Sequence, residues 1–152
     1  MRSSAASDVY KRQSLETKTS SKKELNSRII EIMEEFKISS LAKQKGRELS
    51  GGQRRRVEIA RSIALNPKFI MLDEPFAGID PLAIDDLKML IQKLKKKGLG
   101  ILISDHNVKA TTDICQKIFV ISSGNIISHG TPEEILNNEM VKKVYLGDSF
   151  EN

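Results

Sequence analysis

The strongest chemical signal in the sequence is an apolar run that ends in two carboxylates. Residues 69–72 read Phe-Ile-Met-Leu, and Asp73 and Glu74 follow directly. Such a run predicts a parallel strand covered on both faces, and α/β sheets bind their ligands at the carboxyl ends of such strands. Asp73 can hold Mg²⁺, and Glu74 can orient or deprotonate a water that attacks a phosphoryl group. Taken alone, these residues also fit a strand that ends in a polar loop.

A second signal is a glycine pair at the start of a predicted helix. Residues 49–53 read Leu-Ser-Gly-Gly-Gln. Gly51 and Gly52 allow the backbone to approach an anion closely, and the free N–H groups of a helix start attract phosphate. Ser50 adds a hydroxyl donor. An ordinary serine-capped helix is the alternative interpretation of the same residues.

The third signal is His106, which follows Asp105 just beyond the apolar residues 101–103. Residues 101–103 predict a second buried strand. If this strand lies beside residues 69–73, His106 falls near the two carboxylates. A neutral imidazole there can hydrogen-bond a phosphoryl oxygen. A histidine in a surface loop is the alternative.

The apolar spacing predicts the elements that must position these residues. Helical stretches are expected from Glu24 for about 15 residues, from after Gly51-Gly52 to near Asn66, from Pro81 to Lys97, from Val108 to Cys115, after Pro132, and through residues 141–146. Residues 118–121 and 126–127 predict a hairpin. Asp80 and Thr131 are predicted helix caps, each followed by proline. This order predicts an α/β fold with parallel core strands flanked by helices.

Composition and charge exclude several classes of protein. The 152 residues carry 25 Lys and Arg against 20 Asp and Glu, but residues 1–23 alone hold six basic and two acidic groups. Because the remainder is nearly neutral, a nucleic-acid partner is not expected. No apolar run approaches the roughly 18 residues of a membrane span. Cys115 has no partner for an internal disulfide. Residues 1–23 are predicted to be a disordered or non-native leader, and residues 24–152 a domain.

Together, these motifs resemble the ATP-binding subunits of ATP-binding-cassette (ABC) transporters, over roughly Glu24 to Phe150. Residues 49–53 match the family's signature motif, and residues 69–74 resemble its Walker B strand. Residues 77–80 resemble the D-loop. The resemblance implies the C-terminal part of a P-loop NTPase domain, with the end of the helical signature subdomain.

The resemblance also implies roles for individual residues, with ATP and Mg²⁺ as cofactors. Asp73 would reach Mg²⁺, Glu74 would be the general base, and His106 would contact the γ-phosphate. Asp80 would link the two sites of a head-to-tail homodimer. The signature residues would grip ATP bound to the partner subunit, in trans: Ser50, Gly51, Gly52 and Gln53.

Family partners would be transmembrane permease subunits, met at the cytoplasmic face of the inner membrane. Residues 54–61, 72–81, 105–108 and 144–150 resemble the lipopolysaccharide-export branch of the family. Branched-chain amino-acid importers share residues 129–133 and 145–147 but usually differ at Asp80 and Asn107. Export is therefore favoured. The alternatives are such an importer, a soluble ABC ATPase acting on nucleic acid, and a non-catalytic interaction fragment.

One expected motif does not occur in these 152 residues. They contain no Gly-x-x-x-x-Gly-Lys-Ser/Thr loop, whose amides and lysine cradle the β- and γ-phosphates, and no Gly-Lys pair at all. We therefore expect the C-terminal portion of a subunit behind an unrelated leader. Alone, it should bind MgATP weakly, turn it over negligibly, and expose a sheet edge.

Overall fold

The computed structural model describes residues 22–64 and 66–146. They belong to two compact units, which divide between His106 and Asn107. The predicted leader lies outside the described residues except for Lys22 and Lys23, which begin the first helix. Residues 147–150, part of the resemblance to the export branch, also lie outside them.

The first unit alternates helices and strands, as the sequence predicts. Its elements are α1 (Lys22–Glu35), two short 3-10 turns (Ser39–Leu41 and Gly46–Glu48), α2 (Gly51–Ile63), β1 (Phe69–Asp73), α3 (Pro81–Lys96) and β2 (Gly100–Ser104). The predicted apolar faces are buried: Ile29, Ile32, Met33 and Phe36 at α1, Val57, Ala60, Ile63 and Ala64 at α2, and Leu87, Leu90, Ile91 and Leu94 on α3. These side chains form the core that supports the two strands.

Strands β1 and β2 pair in parallel, which confirms the prediction of parallel core strands. Phe69 lies opposite Gly100, and Asp73 lies opposite Ser104. The carboxyl ends of both strands therefore meet at one end of the sheet, and the residues that follow them are neighbours.

The prediction that both strands are covered on both faces is wrong for the described residues. Ile70 and Leu72 are buried, but Phe69 is 54% exposed and Met71 73% exposed. Leu102 on β2 is 48% exposed. In the part of the chain that the structure describes, β1 and β2 form a two-stranded sheet, and β1 buries alternate residues on one face only.

Helix α3 is fixed at both ends by local and long-range contacts. Asp80 caps its start, since Oδ1 accepts a hydrogen bond from the Ala83 amide at 3.0 Å. At its end, Lys93 and Lys97 form ion pairs with Glu35 of α1. Burial raises the pKa of the Glu35 carboxyl, but the hydrogen bonds and charges of the two lysines outweigh it and leave the pKa below its usual value.

The second unit is a hairpin with short helices. It contains α4 (Val108–Thr112), β3 (Ile118–Ser122), β4 (Asn125–Gly130), α5 (Pro132–Leu136), α6 (Glu139–Val141) and a π-helical turn (Lys142–Leu146). Helix α4 ends three residues before the predicted Cys115, and α6 with the π-turn replaces the last predicted helix. The strands are antiparallel, and both residues of the turn between them have positive φ, Ser123 at 48° and Gly124 at 77°.

Helix α5 begins with the predicted capping box. The Thr131 hydroxyl accepts from the Glu134 amide at 3.3 Å, and the Glu134 carboxylate accepts from the Thr131 amide at 2.7 Å. The hydrogen bond from the Thr131 backbone lowers the pKa of Glu134 below its usual value. The box thus favours the ionised carboxylate in the folded state.

This pKa shift predicts a pH-dependent contribution to stability. Because the folded-state pKa is lowered, the contribution is present above the unfolded-state value of 4.5 and is lost as pH falls through the folded value. In Glu134→Gln the side-chain amide oxygen still accepts, but no charge titrates. Urea unfolding from pH 7 to pH 3 should show the wild-type advantage over Glu134→Gln shrinking below about pH 4.5.

The control is Glu133→Gln, which removes a charge from the same helical turn without touching this hydrogen bond. A stability difference between the wild type and Glu134→Gln that stays constant from pH 7 to pH 3 would contradict the assignment.

Candidate functional site

The site is built where β1 and β2 end. The Ser104 hydroxyl donates to Asp73 Oδ1 at 2.5 Å, and the Glu74 amide donates to the Ser104 carbonyl at 2.7 Å. The last residue of β2 therefore holds both carboxylate-bearing residues that follow the apolar run. Asp73 and Glu74 remain exposed, so both can meet a ligand that approaches this end of the sheet.

His106 lies beside Glu74, as expected if the strands are parallel neighbours. Its Nδ1 is 3.6 Å from Glu74 Oε1, and the two side chains are 72% and 59% exposed. This separation exceeds a normal hydrogen bond, and both groups are free to turn toward a substrate. A carboxylate that can accept a proton, an imidazole and a second carboxylate that can hold a metal ion are residue types that can carry out phosphoryl transfer to water.

Glu74 occupies a strained backbone conformation. Its φ is +43°, in the left-handed region that costs a non-glycine residue roughly 1–3 kcal/mol. The carbonyl of Glu74 accepts hydrogen bonds from Arg55 Nη2 at 2.8 Å and from the Ala77 amide at 3.2 Å. These contacts, with the bond from its own amide to Ser104, hold the turn that aims the Glu74 side chain.

A buried carboxylate on the residue that follows β2, Asp105, supports the same turn. The side chain of Asp105 has no exposed surface. Its Oδ2 accepts the Phe76 amide at 3.0 Å, and its Oδ1 lies 3.9 Å from His106 Nδ1. Asp105 therefore contacts the loop that follows Glu74 and lies next to the imidazole.

The four predicted signature residues form the start of α2. Ser50 Oγ accepts from the Gln53 amide at 3.3 Å, and Gln53 Oε1 accepts from the Ser50 amide at 3.0 Å. This is a capping box, so the alternative interpretation of a serine-capped helix is correct as local structure. It does not exclude phosphate binding by the same helix end.

The glycine pair packs against the loop that follows β1 and the start of α3. A Cβ atom on Gly51 would lie 2.9 Å from the Gly78 carbonyl oxygen, and one on Gly52 would lie 2.8 Å from the Ala83 Cβ. Both approaches are closer than ordinary van der Waals contact allows. Close helix packing is thus a second reason for glycine here, besides access to an anion.

The described hydrogen bond of Asp80 lies at the start of α3 and does not involve Asp73. Asp80 caps α3 through Ala83, and its predicted role as a link across a dimer stays a prediction. In contrast, the structure places His106 beside Glu74, which directly follows Asp73, as the sequence predicts if the two strands are neighbours.

The donor atoms at this site fit Mg²⁺. Magnesium is held by one or two carboxylates together with substrate phosphates and waters, and Asp73 offers a carboxylate oxygen at the end of the sheet. Among residues 22–64 and 66–146 there is no cluster of three or more His, Cys, Asp or Glu side chains suited to a metal ion.

Three supporting residues have no assigned role in the sequence analysis: Arg55, Ser104 and Asp105. Arg55 belongs to a run of three arginines, residues 54–56, and forms an ion pair with Glu58 at 3.0 Å. Its second bond, to the Glu74 carbonyl, joins residues 19 positions apart. Ser104 lies opposite Asp73 because β1 and β2 pair in parallel with this register, so an alignment of the two predicted strands could have identified it.

Two family models match the chain. One, described as ABC transporter, matches residues 3–77, and so begins inside the segment predicted as a leader. The other, described as branched-chain amino acid ATP-binding cassette transporter, matches residues 125–151.

The curated relatives include several lipopolysaccharide export system ATP-binding proteins. The chain is 57% identical to that of Escherichia coli (strain K12) over 120 residues, which are 79% of this chain and 50% of the relative. It is 46% identical to that of Acidithiobacillus ferridurans over 137 residues, which are 90% of this chain and 57% of the relative. The chain thus spans about half the length of the curated relatives it matches.

Solved structures show the same fold. The ADP conformation of an ATP-binding cassette of an ABC transporter superposes with a TM-score of 0.80 at 29% identity, covering 97% of this chain and 64% of the other. A nucleotide-free ATP-binding cassette from an ABC transporter superposes with a TM-score of 0.81 at 28% identity, again covering 97% of this chain and 64% of the other.

None of the helices formed by residues 22–64 and 66–146 has both the length and the hydrophobicity of a membrane span.

Proposed function

This chain belongs to the ABC transporter ATP-binding family, and we propose that it is the C-terminal part of a subunit that hydrolyses ATP to power lipopolysaccharide export. The observation that carries the proposal is the grouping of Asp73, Glu74 and His106 at the carboxyl end of two parallel strands. The arrangement suits hydrolysis, because a carboxylate that can hold a metal ion, a carboxylate that can accept a proton and an imidazole that can donate a hydrogen bond follow two neighbouring strands.

In the proposed reaction, the γ-phosphoryl group of ATP passes to water. Bound Mg²⁺ would neutralise charge on the phosphate oxygens, and Asp73 would hold it. Glu74 accepts a proton from the attacking water. The water oxygen bonds to the γ-phosphorus, and the bond between that phosphorus and the ADP oxygen breaks. His106 donates a hydrogen bond to a γ-phosphate oxygen and stabilises the charge that develops there.

The signature residues act in trans under this proposal. Two subunits would pair head to tail as a homodimer, and the start of α2 would contact ATP bound to the partner. The free amides of this helix end and the Ser50 hydroxyl provide donors for phosphate. Asp80 would lie between the two sites, and the pair would dock on transmembrane permease subunits at the cytoplasmic face of the inner membrane.

The 152-residue chain alone should have negligible turnover. The family's phosphate-cradling Gly-Lys loop does not occur in these residues, and that loop supplies most contacts to the β- and γ-phosphates. Without it, ATP is neither bound tightly nor aligned for attack. The signature face can still contact ATP held by an intact partner.

Lipopolysaccharide is the favoured cargo because the relatives at 46% and 57% identity described above are named for its export. The second candidate is a branched-chain amino-acid importer, favoured by the family match over residues 125–151. Both functions use the same ATP chemistry, and the surfaces that meet the permease would distinguish them.

The cargo is tested with a completed subunit, in which residues 24–152 of this chain follow the N-terminal half of the E. coli relative. In E. coli cells depleted of that relative, the completed subunit should restore delivery of lipopolysaccharide to the outer membrane. A completed subunit carrying Glu74→Gln is the matched control and should not restore it. Restoration of leucine uptake in importer-deficient cells, without lipopolysaccharide delivery, would favour the second candidate and contradict the first.

A further inference from the structure

We infer that Asp105 is a positioning residue that holds the Glu74 turn in place for ATP hydrolysis, an inference that rests on the proposed function. Asp105 does not touch the reacting atoms, because its side chain has no exposed surface. Its effect passes through the loop that follows β1.

The contact between Asp105 and this loop is specific. Asp105 Oδ2 accepts the Phe76 amide at 3.0 Å, and Phe76 itself is only 3% exposed. If the carboxylate is removed, the Phe76 amide loses its acceptor in a site where water has little access. An unsatisfied N–H group in such a place disfavours the native loop, so the loop is expected to rearrange.

Asp105 and Ser104 bind the chain on both sides of the catalytic carboxylate. The Ser104 carbonyl accepts the Glu74 amide at 2.7 Å, and Asp105 accepts the amide two residues later. Between these two bonds Glu74 has a φ of +43°. A non-glycine residue keeps such a conformation only where its surroundings fix it, and Asp105 supplies one of those fixed points.

The same residue also sets the distance between the two proposed catalytic groups. Asp105 precedes His106 directly, and its Oδ1 lies 3.9 Å from the imidazole Nδ1. Asp105 thus connects the end of β2, which leads to His106, with the loop that follows Glu74. The 3.6 Å separation between His106 Nδ1 and Glu74 Oε1 depends on this connection. A displacement of about 1 Å at such a site lowers turnover by as much as 100-fold.

Three variants separate positioning from charge and from folding. Asp105→Ala removes the acceptor, whereas Asp105→Asn keeps an oxygen that accepts the Phe76 amide. Asp85→Asn, on the exposed side of α3 and paired with Lys88, is the control for losing a carboxylate elsewhere. If Asp105→Ala does not fold, Asp105→Leu takes its place, because leucine fills a similar volume without a hydrogen-bond acceptor. The same results are then expected of it.

The first readout is amide hydrogen exchange of Phe76, measured by NMR on the 152-residue chain. Exchange should accelerate at least about tenfold in Asp105→Ala and stay near the wild-type rate in Asp105→Asn. The second readout is steady-state ATP hydrolysis by the completed subunit. In Asp105→Ala, kcat should fall roughly 10- to 100-fold with KM within about threefold, and Asp105→Asn should recover most of the loss.

Unchanged Phe76 exchange in Asp105→Ala, an unchanged kcat, or a change confined to KM would overturn the inference. Equal losses in Asp105→Ala and Asp105→Asn would also overturn it, since the charge and not the hydrogen bond would then matter. If the unmodified completed subunit hydrolyses no ATP, the proposed function fails and the catalytic part of this inference fails with it. The exchange measurement then still shows whether Asp105 holds the loop.

Discussion

Replacing Glu74 by Gln in the completed subunit is expected to lower kcat for ATP hydrolysis at least about 100-fold, with ATP affinity kept within about threefold. Glutamine occupies the same volume but cannot accept a proton from the attacking water. Its backbone can keep the contacts to Arg55 and Ser104, because these involve only the carbonyl and amide of residue 74. Phosphate release and binding of a fluorescent ATP analogue measure the two effects separately.

The matched control is Glu31→Gln on α1. The Glu31 side chain is 65% exposed, close to the 59% of Glu74, and pairs with Arg28 three residues earlier. The control should hydrolyse ATP at the unmodified rate. If Glu74→Gln retains full turnover, Glu74 is not the base and the assignment of the site is wrong.

Replacing Gly52 by Ala is expected to destabilise the chain and to reduce turnover of the completed subunit. The added methyl group would lie 2.8 Å from the Ala83 Cβ and 3.5 Å from Ile79 Cγ2, so the start of α2 must move away from α3. Overpacking of this kind costs about 1–3 kcal/mol. For a chain of this size, thermal unfolding should shift downward by roughly 3–10 °C.

A compensating change tests whether this contact is the cause. Ala83→Gly removes the methyl group that Gly52→Ala would meet, at a cost of up to about 1 kcal/mol for glycine within a helix. The double variant should therefore be more stable than the sum of the single effects predicts. Strictly additive effects would show that Gly52→Ala acts elsewhere.

Turnover should follow the same pattern, because α2 contacts the catalytic loop at two points. Gly51 packs on the Gly78 carbonyl, and Arg55 binds the Glu74 carbonyl. A displacement of α2 is therefore expected to displace the turn that carries Glu74, the proposed base. Gly52→Ala should lower kcat, and Ala83→Gly should partly restore it.

The fold of the first unit and the grouping of its candidate catalytic residues could be predicted from local sequence. Helical spacing and caps such as Asp80 depend on residues close in the chain, and two apolar strands joined by a helix pair in parallel. Once β1 and β2 are neighbours, His106 must lie near Glu74, and it does.

What could not be predicted depends on partners distant in the chain. The left-handed φ of Glu74 is held by Arg55, 19 residues earlier, and by Ser104, 30 residues later. The role of Asp105 requires knowledge of where Phe76 lies. The residue types at these positions do not predict such contacts.

The prediction of strand burial failed for a different reason. An unbroken apolar run shows that both faces of a strand can be covered, not that they are. Phe69 and Met71 point away from the buried face of β1, and exposure is decided by what packs there. The sequence pattern of β1 holds no information on that neighbour.

The measurement that tests the central claim most directly is phosphate release at saturating MgATP, compared between the completed subunit and the 152-residue chain. We expect steady hydrolysis by the completed subunit and less than about 1% of that rate from the chain alone, since alignment of the phosphates needs the Gly-Lys loop. Equal rates in the two proteins, or no hydrolysis by a completed subunit that binds MgATP, would contradict the account.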